Sequence, residues 1–244
     1  MIEFLPFDYW AYHNRWREVH PGAKLLFGVA ALAGACLVHR PLAGLAVGGT
    51  AALLTVVGAG IPLRVYLRLL LLPAGFLFVG LISLLLDFKG GRPVYAGLAL
   101  AETVASRSLA AVAALYFLIL TTPVGEILAL LRRLGAPALF LELCLLTYRH
   151  LFSLLRTANG LRLAQLARGG RLRGRLAWRV AAGLVRQLFL LAQHRAHRSY
   201  LALMARGAEE LVFRGRPQVL RWREFGFFGL WAGIELLLAW CLGR

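Results

Sequence analysis

The stretch Lys24–Ile61, KLLFGVAALAGACLVHRPLAGLAVGGTAALLTVVGAGI, is two apolar runs split by His39, Arg40 and Pro41. Spanning a hydrocarbon layer takes about 20 apolar residues in a helix. In lipid only helices or closed barrels satisfy their own backbone groups. The apolar residues here are continuous and do not alternate, which selects helices. The break is short, so Lys24–Val38 and Leu42–Ile61 are expected to form an antiparallel helical hairpin. Its small residues, Gly28, Gly34, Gly44, Gly48, Gly49, Gly58 and Gly60, allow close helix contacts.

Further apolar runs extend the pattern. Pro62 and Arg64 mark a turn, and a third run covers Val65–Leu86, with Arg68 near its start and Pro73 inside it. A neighbouring helix is expected to take up the backbone group that Pro73 frees. Asp87–Pro93 (DFKGGRP) reads as a loop. A fourth helix is expected over Val94–Leu120, and a last apolar run covers Phe225–Leu242.

Composition agrees with a membrane chain. Of 244 residues 60% are hydrophobic, the mean hydropathy is +0.70, and Lys+Arg outnumber Asp+Glu by 28 to 11 for a net charge of +17. An ordinary soluble domain has about 45–50% apolar residues. A nucleic-acid binder could be as basic, yet it would not carry several long apolar runs. Cys36, Cys144 and Cys241 sit apart in apolar stretches and form neither a disulfide frame nor a zinc motif. Residues 1–16 carry Glu3 and Asp8 before any apolar run and do not read as a cleavable signal peptide. The lysines, Lys24 and Lys89, are not in a Walker A context, so ATP chemistry would have to come from another subunit.

Between Thr122 and Glu224 the pattern becomes amphipathic. Thr122-Pro123 is a helix-start signal, Gly135 a stop and Pro137 a new start. Glu142, Arg149 and Arg156 form one helical stripe, while Leu141, Tyr148 and Leu155 form another. Gly169-Gly170 ends this segment, and Asn159-Gly160 inside it is a candidate kink. A second long segment, Leu172–Arg206, ends at Gly207. Of the 28 Lys+Arg residues, 16 lie between Arg149 and Arg223, against only Glu209 and Glu210 as acids. The positive-inside rule then puts this region in the cytoplasm, along with the N-terminus and the Arg64 turn. DFKGGRP and Arg244 are external.

Each long segment closes on Ala-Arg-Gly: Ala167-Arg168-Gly169 and Ala205-Arg206-Gly207. An arginine at a helix C-terminus is favoured by the helix dipole. The following glycine permits a turn with positive φ. The pattern reads either as two capped helices with solvated arginines or as two rigid guanidinium tips built for carboxylate partners.

A family resemblance chooses between these readings. Phe7-Asp8-Tyr9-Trp10-Ala11, His20-Pro21-Gly22-Ala23-Lys24-Leu25, Ser106-Arg107-Ser108-Leu109-Ala110, Leu120-Thr121-Thr122-Pro123, Leu134-Gly135-Ala136-Pro137, Leu146-Thr147-Tyr148-Arg149 and the two Ala-Arg-Gly ends follow one another in a shared order. In this the chain resembles the CbiQ family, the cobalt-type T components of energy-coupling-factor (ECF) importers. The resemblance implies an all-α polytopic bundle of about five spans, with two long amphipathic cytoplasmic coupling helices. It implies a non-catalytic scaffold in the cell inner membrane that needs no cofactor. Ala167, Arg168, Gly169, Ala205, Arg206 and Gly207 would dock on a dimer of ATPase subunits. A separate CbiM-like subunit, with or without a CbiN-like small one, would select the substrate. The expected division is a four-helix N-terminal membrane domain (1–121), a coupling region (122–223) and a C-terminal span (224–244).

Some expectations remain open at this level. Nickel or a vitamin could replace cobalt, and a standalone secondary transporter or an intramembrane enzyme are the competing classes. A secondary transporter would show repeated halves, which this chain lacks. An enzyme would need a clustered motif that Asp87, Glu102 and Glu235 do not form. His194 and His197 are three apart on one helix but flanked by Arg195 and Arg198, which opposes metal binding. Glu235, inside the last run, is expected to pair with Arg107 or a partner protein, or to hydrogen-bond within a helix interface.

Overall fold

The structure, a computed structural model, describes residues 6–85, 87–89, 92–94, 98–168, 174–207 and 222–243. Nine α-helices are present among them: α1 Pro6–Tyr12, α2 Pro21–Leu37, α3 Pro41–Leu53, α4 Leu63–Leu85, α5 Leu98–Thr121, α6 Val124–Arg133, α7 Ala138–Ala167, α8 Gly174–Ala205 and α9 Trp222–Gly243. Alpha-helix α3 continues into a π-helical segment, Leu54–Gly58. The expected DFKGGRP loop holds two short antiparallel strands, β1 Asp87–Lys89 and β2 Arg92–Val94, with Phe88 opposite Pro93.

The chain divides into two compact units, Glu3–Leu130 with Arg216–Arg244, and Leu131–Gly215 with Met1–Ile2. The first is a helical bundle around α5. Its largest apolar cluster joins Ala23, Phe27 and Ala31 of α2, Leu54 of the π-helical segment, Ala114 and Phe117 of α5, and Phe228 of α9. Phe27 and Phe117 meet edge to face with ring centroids 4.7 Å apart, the favoured aromatic geometry.

The two helices of the expected hairpin find their main packing partners elsewhere. Helices α2 and α3 do touch, but each packs more extensively on other helices, α2 on α9 and α5, and α3 on α5. The glycines explain it. A Cβ added at Gly44 would lie 2.7 Å from Ser106 Oγ and 2.8 Å from the Ser106 backbone carbon, and one at Gly48 would lie 3.1 Å from Ala110 Cα. Small residues four apart let the α3 and α5 backbones approach closely, so they bring α3 to α5 more than to α2.

Pro73 stays inside a continuous α4. Proline cannot donate to the carbonyl of residue i−4, which here is Leu69. The Tyr116 hydroxyl of α5 donates to Leu69 O at 2.9 Å. The neighbouring helix does take up the freed group, as expected.

Among the described residues five helices are long and apolar enough to cross a membrane: Pro41–Gly58, Leu63–Ile82, Leu100–Thr121, Ala138–Ala167 and Trp222–Cys241. Four coincide with the expected runs. The fifth differs, because α2 is a shorter apolar helix while α7 qualifies by length and composition. A 17-residue helix such as α2 is at the lower limit for spanning.

In the second unit α7 and α8 run antiparallel. Arg195 Nη1 on α8 donates to Ser153 Oγ on α7 at 2.5 Å. One groove between them is lined by residues 143–154 and 192–196, and the next by residues 146–150 and 199–206. The chain does not break at Asn159-Gly160, since α7 is one continuous helix. Two weak helix formers cost little within a 30-residue helix, where propagation past them is cooperative.

Candidate functional site: helix tips and a polar joint

Two kinds of site emerge. One is the pair of helix ends that the sequence singled out. The other is a buried polar cluster that motif reading missed.

Arg168 is the C-cap of α7, with φ −82° and its amide donating to Ala164 O at 3.3 Å. Gly169 lies outside the described residues. At the end of α8, the Gly207 amide donates to Met204 O at 3.0 Å with φ +62°. That is the left-handed conformation in which glycine alone avoids a Cβ penalty. Arg206 therefore sits at the C-cap of α8, one residue before the turn, and Arg168 holds the C-cap of α7. Both arginines are exposed, and so are Ala167, Ala205 and Gly207. The structure puts the two tips apart. Arg206 shares a groove with Arg149, and Arg149 lies roughly 28 Å along α7 from Arg168.

Gly135 ends α6 in the same manner, with φ +88°. Its amide donates to Arg132 O at 3.1 Å and the Ala136 amide to Leu131 O at 3.1 Å. These are the two bonds of a Schellman stop. Helix α6 carries Glu126 in its first turn and Arg132 and Arg133 in its last, which complements its dipole.

The polar cluster surrounds the Thr121-Thr122-Pro123 turn between α5 and α6. Lys24 is fully buried, and its Nζ donates to Thr121 O at 3.1 Å. Asn14 Nδ2 donates to Ala11 O at 2.8 Å and to Leu120 O and Thr121 O at 3.3 Å. The Thr121 hydroxyl donates back to Phe117 O at 2.6 Å. Glu224 Oε2, at the start of α9, accepts the His20 amide at 2.8 Å. Glu126 and Glu224 are the carboxylates near enough to act on Lys24. The last carbonyls of a helix lack partners of their own. Here an ammonium and an amide satisfy those of α5 at the point where the chain leaves for α6. A lone lysine near the start of an apolar run gives no sequence signal for this role.

Glu235 is fully buried on α9. The Thr50 hydroxyl of α3 hydrogen-bonds its Oε1, while Oε2 has no partner among the described residues. The helix-interface alternative is thus the one observed. Arg107 is exposed and does not meet Glu235. His194 and His197 are both exposed on α8.

Apolar helices that present Leu71, Leu72, Phe76 and Phe78 of α4 at 65–84% exposure define a multi-pass helical membrane protein, which also carries a paired-helix unit rich in arginine. The chain matches the family described as CbiQ, cobalt transport protein, over residues 13–216. It is 37% identical over 215 residues to the cobalt transport protein CbiQ of Rhodobacter capsulatus, covering 85% of this chain and 86% of that one. It is 31% identical over 183 residues to CbiQ of Salmonella typhimurium, covering 67% and 79%. It is also 31% identical over 168 residues to a proposed fused cobalt transport protein CbiMQ of Methanocorpusculum labreanum, covering 63% of this chain and 28% of that longer one. The chain belongs to the CbiQ family.

Proposed function

We propose that this chain is the transmembrane coupling subunit of an ECF-type, ATP-driven importer that takes up cobalt. The observation that carries the reading is the matched placement of Arg168 and Arg206 at the C-caps of two antiparallel helices. Each tip presents a fixed guanidinium suited to a bidentate carboxylate. With Arg206 sharing a groove with Arg149, roughly 28 Å along α7 from Arg168, the two tips suit one on each subunit of an ATPase dimer better than both on a single groove. Ala167, Gly169, Ala205 and Gly207 complete the docking ends. The chain itself is non-catalytic, and ATP hydrolysis belongs to the partner subunits.

The region 122–223, between the membrane domain 1–121 and the span 224–244, is then cytoplasmic. Its 16 Lys+Arg residues from Arg149 to Arg223 support that side of the inner membrane. Helix α7 is apolar enough to span, yet Arg149 and His150 would then sit near its hydrocarbon midpoint at several kcal/mol. Pairing with α8 at the membrane surface avoids that cost. The polar joint at Thr121–Pro123 is the fixed base of the lever. A CbiM-like subunit is the expected substrate-selecting partner, as the relative named CbiMQ supports.

The test is to co-express the chain with its ATPase and CbiM-like partners and to change Arg168→Glu and Arg206→Glu together. Membrane insertion should persist, while ATPase co-purification and cobalt uptake are lost. Normal binding and uptake in the double variant would reject the roles.

A further inference from the structure

We infer that the docking of α8 is two-armed: the groove at its end is a carboxylate-binding site in which Arg149 of α7 is a second ligand beside Arg206. The inference rests on the coupling reading above and adds a residue from the other helix.

A cavity of about 420 Å³ lies between the two helices, lined by Arg149, His150, Ser199 and Arg206 over an apolar floor that includes Leu146 and Leu203. Both guanidiniums are exposed, neither has an ion-pair or hydrogen-bond partner among the described residues, and no acidic side chain lines the cavity. Arg195 is not part of this group, because it is held by Ser153 at 2.5 Å beside the neighbouring groove. Two cations converging without a counter-charge repel each other, and an anion seated between them removes that repulsion.

The shape specifies which anion. A planar carboxylate accepts paired N–H bonds from a guanidinium fork. The short methylene stem of an Asp or Glu side chain would rest on Leu146 and Leu203. Ser199 and His150 can hydrogen-bond the remaining oxygen lone pairs. The occupant is therefore an acidic side chain of the ATPase subunit.

The test uses the assembled complex in lipid nanodiscs, with ATPase affinity measured for Arg149→Glu, Arg149→Lys, Arg206→Glu, Arg168→Glu and the Arg149→Glu/Arg206→Glu pair. Arg149→Glu should weaken association about tenfold or more, and Arg149→Lys by less. The double variant should be little weaker than Arg206→Glu alone, because both arms hold one carboxylate. Wild-type affinity for Arg149→Glu alongside loss for Arg206→Glu would overturn the two-armed site and leave the coupling reading intact. Wild-type affinity for Arg206→Glu and Arg168→Glu as well would remove the coupling reading itself. Phenylglyoxal modification of Arg149 separates the sources of anion. Protection by the ATPase, and not by inorganic phosphate or by vesicles of acidic lipid, is expected. Protection by phosphate or lipid alone would overturn the assignment to a protein carboxylate.

Discussion

The membrane unit and the paired-helix unit are both helical but are held by different means. In the first, residues from α2, α3, α5 and α9 are fully buried, including the charged or polar side chains of Lys24, Thr55, Thr121 and Glu235. In the second, Leu141 is the one buried side chain among the described residues of α7 and α8, and large apolar groups such as Trp178 and Leu163 stand open at 81% and 67% exposure. One region completes its core alone. The other leaves most of its apolar side chains exposed, as interfaces do. The polar joint at Thr121–Pro123 belongs to the first unit, where a rigid base is needed.

The comparison can be broken most severely at Gly44. Gly44→Leu should destabilise the membrane unit by about 3 kcal/mol, because the added Cβ meets Ser106 backbone at 2.8 Å. Thermal unfolding of the purified protein in detergent reads this directly. A stable Gly44→Leu protein would mean that α3 and α5 are not in close contact. Next, Lys24→Met should cost roughly 2 kcal/mol by removing a charged hydrogen bond from Thr121 O. It should also reduce coupled uptake more than an equally destabilising change in α4, if the joint fixes the lever. Equal losses in the two variants would make the joint merely structural.

Smaller effects sharpen the picture. Thr50→Val leaves both Glu235 oxygens without a donor from α3 and should cost about 1 kcal/mol. Pairing it with Glu235→Leu should recover much of the loss, which a double-mutant cycle would measure. Gly160→Ala lies at an open position in α7, where an added Cβ touches nothing within 4 Å. It should raise helix stability by about 0.5–1 kcal/mol, seen as slower amide exchange around residue 160. A loss of stability there would show that α7 needs a break after all. None of these changes touches the arginine tips, so ATPase binding should follow only stability.

Much of this was legible in the chain itself. Uninterrupted apolar runs name their helices because lipid leaves the backbone no alternative, and Gly135 and Gly207 name helix ends because their positive φ suits no other residue so well. The excess of arginine from Arg149 onward separated the second unit from the first, although α7, which is both apolar and basic, could not be classed by length and composition alone.

What only tertiary structure decided is which faces meet. Chain adjacency suggested α2 against α3, but the small-residue surface of α3 fits α5 more closely. Lys24 became the clamp on the end of α5, Glu235 found Thr50 in place of Arg107, and Arg149 came to share a groove with Arg206 although 57 residues separate them in sequence. Periodicity fixes a residue's place on its own helix. Its partner depends on how closely two surfaces can approach, and that is a property of the packed bundle.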